Sequence, residues 1–133
     1  MPITYVYNPD DNVVYTNATG VVGADELREY FEKILADATI SNRFWEIVNI
    51  EKVTNVTLTY KDCTALSSLV KRFINEKEYQ GTLLFSPKKL PSLAASLFFA
   101  VLRTFSTATF LVSSKKKEFE ALVFKHVKIK YQL

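Results

Sequence analysis

Seven consecutive residues, Phe44-Trp45-Glu46-Ile47-Val48-Asn49-Ile50, are apolar on both alternating faces apart from Glu46 and Asn49. A strand with one wet face would alternate. This run therefore belongs inside a sheet, covered by helices on at least one side. A polar segment from Glu51 to Thr59 follows and reads as a loop. The period then changes: Cys63, Leu66, Leu69/Val70 and Phe73/Ile74 recur at helical spacing. Thr59-Tyr60-Lys61-Asp62 has capping-box spacing, which places Thr57 and Thr59 just ahead of that helix and Thr59 at its N-cap.

The same alternation of strand and helix extends on both sides. Ile3 to Tyr7 and Val13 to Thr19 flank Asn8-Pro9-Asp10-Asp11-Asn12, a cluster of turn formers, and predict a β-hairpin that Gly20 ends. Leu27, Tyr30, Phe31, Ile34 and Leu35 form one apolar stripe on a helix from Asp25 to Ala36, with acidic residues in its first turns. Gly81 to Ser86 reads as a strand, residues 90–105 as a helix with Pro91 in its first turn, Thr107 to Val112 as a strand and Lys115 to Lys125 as a last helix. From residue 126 the period changes again. Val127, Ile129, Tyr131 and Leu133 alternate with Lys128, Lys130 and Gln132, so residues 126–133 are expected to add a C-terminal strand at a sheet edge. The fold class is α/β: a mixed sheet with an N-terminal hairpin and about four helices packed mainly on one side. At 133 residues with 48% hydrophobic content, one domain spanning 1–133 is expected.

This order resembles the STAS domain, and especially its SpoIIAA-like group. The resemblance rests on arrangement. The hairpin ITYVYNPDDNVVYTNATG leads into GADELREYFEKIL, and WEIVNI leads through KVTNVT into the second helix. GTLLFSP then leads to a helix bearing LRTF, and TATFLV leads to KKEFEALV. It covers the chain to about Lys125 and leaves the tail outside. It implies a non-enzymatic module that binds protein partners, under control in some members of a phosphorylated Ser in an Asp-Ser pair at the start of the second helix. Here that region reads Asn55-Val56-Thr57-Leu58-Thr59, so Thr57 and Thr59 are the candidate regulatory hydroxyls. The resemblance also implies likeness to lipid-binding modules.

The residues themselves carry no catalytic, metal or nucleotide motif. The three glycines, Gly20, Gly23 and Gly81, form no phosphate loop. Cys63 falls on an apolar helical stripe and reads as an inert buried thiol, while His126 reads as a surface residue; a Cys63–His126 catalytic pair is the alternative. One His and one Cys make a poor zinc site, so no metal or other cofactor is expected. Residues 1–87 hold 8 basic and 12 acidic side chains, and residues 88–133 hold 9 and 2. That asymmetry is either a solvated dipolar surface or a basic face for an acidic partner. No reading helix or aromatic–basic motif accompanies it, so nucleic acid is not an expected partner. The start of the chain lacks a basic, then apolar leader, no apolar run reaches about 18 residues, and a lone cysteine suits a reducing compartment. A cytoplasmic protein without a transmembrane segment is the expectation.

The least ordinary stretch is the helix over 90–105, where Ser92, Ser96, Phe99 and Arg103 share a narrow arc and nearly everything else is Leu, Ala, Phe or Val. A helix lying on a sheet needs one apolar face. Leu93, Leu97, Val101 and Phe105, with parts of Phe98 and Leu102, are expected to pack in the core, line an apolar space or meet a partner. Two readings of function remain open: a protein-interaction or self-associating regulatory module, and a binder of an apolar small molecule or lipid beneath this helix.

Overall fold

The computed structural model describes residues 2–104 and 106–133, and of Leu90 the backbone alone. The elements run β1 (Ile3–Asn8), β2 (Val13–Gly23), α1 (Ala24–Ala36), β3 (Trp45–Thr57), α2 (Tyr60–Lys77), β4 (Gly81–Phe85), α3 (Lys89–Arg103), β5 (Thr109–Ser113) and α4 (Lys116–Val127). One mixed sheet holds the strands in sequence order, β1-β2-β3-β4-β5. The β1–β2 pair is antiparallel and every later pair is parallel. Each parallel neighbour needs a crossover helix, and crossovers of one hand between strands added in one direction stay on one face of the sheet.

Alternation along the strands divides the core. Val14, Val48, Leu84 and Phe110 face α1, α2 and α3, while their neighbours Val13, Ile47, Leu83 and Phe85 face α4. β3 supplies both layers and is paired on both sides, as its doubly apolar sequence predicts. Close packing also fixes the start of β4. Gly81 has φ +156, and a Cβ there would lie 2.2 Å from the Thr109 carbonyl oxygen. Only glycine fits that approach.

Two strands are longer than the sequence predicts. Gly20, expected to end the hairpin, sits at φ +70 within an irregular stretch of β2, and the strand runs on to Gly23. The polar segment after Ile50 is not a loop. It continues β3 to Thr57, pairing Val22 with Val56 and Gly23 with Thr57. Turn-forming and polar residues marked these as boundaries, but strand pairing beyond the end of β4 satisfies their backbone groups. Thr57 is thus a strand end. Thr59 is the N-cap of α2: its Oγ1 accepts from the Asp62 N–H at 3.1 Å, and Asp62 Oδ2 accepts from the Thr59 N–H at 2.9 Å.

The tail differs from expectation. No strand forms among the described residues after β5. α4 continues to Val127 and Lys128 closes it in the left-handed conformation. The remaining residues lie across the sheet face opposite α1–α3. There Val127, Ile129, Tyr131 and Leu133 pack on the core around Phe119 and Val123. Tyr131 stacks on Tyr15 at 5.9 Å between ring centroids and meets Phe119 edge-on, also at 5.9 Å. The Leu133 N–H donates to Glu120 Oε2. The period of two is real. It arises because an extended chain lying flat on a surface turns alternate side chains down, and the single helix α4 leaves that face uncovered.

α3 is turned about its axis relative to the sequence reading. Phe98, Phe99 and Leu102 are buried, Val101 is half-buried, and Leu93 and Leu97 are 55% and 61% exposed. Phe105 lies outside the described residues. Moving from the 93–97–101 stripe to the 98–102 stripe is a step of one residue, about 100° of rotation. Both stripes are apolar, so hydrophobicity alone could not choose between them.

Phe98→Ala is expected to lower stability by about 3–5 kcal/mol, and Leu97→Ala by less than about 0.5 kcal/mol, in urea unfolding followed by circular dichroism. Comparable losses at both positions would mean that α3 presents a different face to the sheet. Thr59→Ala should cost about 1 kcal/mol in the same assay by removing the α2 cap.

Candidate functional site

An apolar cavity of about 100 Å³ lies between the sheet and the helices α1 and α3. Val48 and Ile50 of β3 form its floor, Leu27 and Phe31 of α1 one wall, and Ala95 and Phe98 of α3 another. A void there follows from local sequence. Ala94 and Ala95 put short side chains where α3 crosses the sheet, while Phe98 and Phe99 one turn later hold the helix away from it. A second space of about 30 Å³ lies alongside and shares Phe31, Glu46, Thr82, Phe98 and Phe99 with the first.

Glu46 stands at the wall common to both spaces, 6% exposed, the second residue of β3 in its apolar first half. Among the described residues no ion pair to it is found. Hydroxyl groups hold it instead. The Tyr30 hydroxyl donates to Oε2 and the Thr82 hydroxyl to Oε1. Behind them Thr16 Oγ1 bonds the Tyr30 hydroxyl at 2.6 Å, and Tyr79 bonds Thr82. Removing a carboxylate from water costs several kcal/mol even after relaxation, whereas a hydrogen bond to a charged group returns about 1.5–3 kcal/mol. Burial prevails: it pushes the Glu46 carboxyl above its ordinary value, against the two hydroxyl bonds that favour ionisation. Burial, then the nearby Glu46 charge, likewise drives Tyr30 and Tyr79 well above the ordinary phenol value, so both remain donors.

A second feature, open to a similar degree, adjoins the first. The groove between the start of α2 and the outer face of α3 holds about 430 Å³ and is lined by Thr59, Tyr60, Cys63, Leu97 and Val101 among others. Tyr60 is 79% exposed at its rim. Leu58 and Ala94 border both groove and cavity.

Most of the residues singled out from sequence thus gather around α3, on two sides of it. Phe98 lines the cavity, Thr59, Leu97 and Val101 line the groove, and Leu93 lies one turn before Leu97 on the exposed face. Thr57 ends β3 and lines neither. Leu102 faces the smaller space. Cys63 and His126 are separated by the sheet. Cys63 is buried on the α1–α3 side, and His126 stands against Trp45 on the α4 side, 6.0 Å between rings. Glu46 was the site residue that sequence reasoning passed over. Its signal was present, a lone acid inside a strand with no polar face to receive it.

Because its folded-state value is raised, Glu46 binds a proton more tightly in the native than in the unfolded chain. Native stability should therefore fall as pH rises from the unfolded value near 4.5 towards the folded one, by up to about 1.4 kcal/mol for each pH unit of separation. Glu46→Gln removes this dependence, so the wild type should lose stability relative to the variant over that window in denaturant titrations. A difference that stays constant with pH would show that Glu46 titrates as an ordinary carboxyl.

No protein-family model matches the chain, and no curated protein matches it significantly. Its structure is similar to the crystal structure of an uncharacterized protein of the DUF3478 family with a SpoIIAA-like fold from Shewanella loihica PV-4. That likeness covers 90% of each chain at 16% identity with a TM-score of 0.50. Identity at that level speaks to architecture alone, and the architecture of this chain is the SpoIIAA-like fold.

Proposed function

We propose that this chain is a non-catalytic cytoplasmic binding module whose α2–α3 groove docks a protein partner. One observation carries the reading. Tyr60 and Leu97 stand largely exposed along an apolar groove, and Leu93, one turn before Leu97, is exposed on the same helix. Leaving apolar surface in water forgoes about 25 cal/mol per Å², and an occupant recovers that free energy over the area it covers. The Thr59 hydroxyl lines the groove at the capped end of α2, so a charge added there would fall on the docking surface. Separation of Cys63 from His126 by the sheet supports a binding rather than a catalytic role.

A specific observation favours a second reading alongside it: the space beneath α3 is walled almost entirely by apolar side chains. In this reading the occupant is a small apolar molecule.

Leu97→Asp tests the docking surface, because Leu97 is exposed and its replacement should leave the melting temperature unchanged. Sedimentation equilibrium of both proteins reports self-association. Side-by-side capture from cell extract, followed by direct titration of any protein that distinguishes them, reports a different partner. Loss of a dimer, or at least tenfold weaker binding of a purified partner to the variant, is expected. Equal association by wild type and variant in both assays would exclude the groove.

A further inference from the structure

The outer face of α4 carries charge that packing does not use. Phe119 and Val123 turn inward to the sheet. At 3.6 residues per turn, Lys117, Ala121, Phe124 and Lys125 then fall within an arc of about 100° on the opposite side, and all four are exposed. The tail continues that face. Val127, Ile129, Tyr131 and Leu133 pack down on the core, so Lys128 and Lys130 between them point outward beside α4. With Lys115 and Lys116 at the start of the helix, residues 115–130 hold six exposed lysines against two glutamates.

Local partners do not neutralise these lysines. Among the described residues no ion pair engages any of the six. Glu120 is half-buried and accepts the Leu133 N–H. Glu118 sits in the first turn of α4, where the helix dipole favours an acid. Amid the lysines Phe124 is 58% exposed.

Three features decide what such a face meets. Every basic side chain of the segment is a lysine, a compact charge on a flexible stem, and no arginine supplies a planar fork for bidentate recognition. The lysines are spread along the outside of a helix and its tail, and none of the three spaces described above is lined by α4. Ring and charge are interleaved, with Phe124 next to Lys125 and one turn before Lys128. A fluid anionic surface fits this pattern. Its headgroups can arrange themselves around dispersed lysines, and one aromatic side chain can enter the boundary between headgroups and acyl chains.

We propose that the face formed by α4 and the tail docks the protein on an anionic lipid bilayer, with the lysines over the headgroups and Phe124 inserted among them. The contact is superficial, since no helix among the described residues is long and apolar enough to cross a membrane. The α2–α3 groove lies beyond the opposite face of the sheet, so this docking leaves the groove turned to solvent. It holds whatever occupies the groove.

Cosedimentation of the full chain with lipid vesicles tests the proposal. Vesicles of equal parts phosphatidylcholine and phosphatidylserine should bind it, and vesicles of phosphatidylcholine alone should not. Added salt should weaken binding, because exposed charges are screened. Lys117→Gln/Lys125→Gln should bind the mixed vesicles about twentyfold more weakly, at roughly fivefold for each lysine near the surface. Phe124→Ala should bind them about tenfold more weakly while keeping its salt dependence. All three positions are exposed, so melting temperatures should stay unchanged. No binding to the mixed vesicles at low salt would overturn the proposal, as would equal binding by the wild type and either variant. Stronger binding to poly-glutamate or duplex DNA than to the mixed vesicles at equal charge concentration would assign the face to a protein or nucleic-acid partner instead.

Discussion

Pairing of β3 on both edges, with a helical layer on each face, is the constraint from which the remaining architecture follows. β2 and β4 flank it in parallel register. Parallel neighbours cannot be joined by tight turns, so α1 and α2 must cross over the sheet. Alternation along β3 then assigns Val48 and Ile50 to the α1–α3 core and Ile47 to the α4 core. Eight residues of β3 project beyond the end of β4 and have only β2 beside them. That projection carries the chain out to Thr59, where a reciprocal cap starts α2 at the mouth of the groove.

The same strand places a carboxyl group where a purely structural core would hold an aliphatic side chain. Replacing a buried charged group with a well-packed apolar one is often neutral or stabilising, so packing gives no reason for Glu46. The four hydroxyl residues around it come from β2, α1, β4 and the turn before β4. Elements distant in sequence are thereby tied to one polar centre, which also forms the wall between two internal spaces. Polar networks of this kind specify one arrangement of the elements because each unpaired member is expensive.

α3 stands between an interior apolar space and an exterior surface. Its inward stripe closes the cavity and its outward stripe borders the groove. Ala94 touches both, as does Leu58 just ahead of α2. An apolar excess that appears redundant for a helix on a sheet thus becomes two distinct surfaces. The tail provides the corresponding cover on the far face, where Tyr131 lies between Tyr15 and Phe119.

Local chemistry was enough to determine the order of strands and helices, the buried character of β3, the capping box at Thr59–Asp62 and the apolar excess of α3. Each depends on periodicity or on neighbours within one turn. Tertiary structure decided the rest, because those features depend on partners distant in sequence. β2 and β3 outrun Gly20 and the polar segment because they pair with each other. The alternating tail lies on the sheet face and not at its edge because α4 leaves that face open. The choice between two equally greasy stripes of α3 falls to the shape of the sheet beneath it. Glu46 was visible as an anomaly in an apolar strand. Its meaning required Thr16, Tyr30, Tyr79 and Thr82, which only the folded chain brings together.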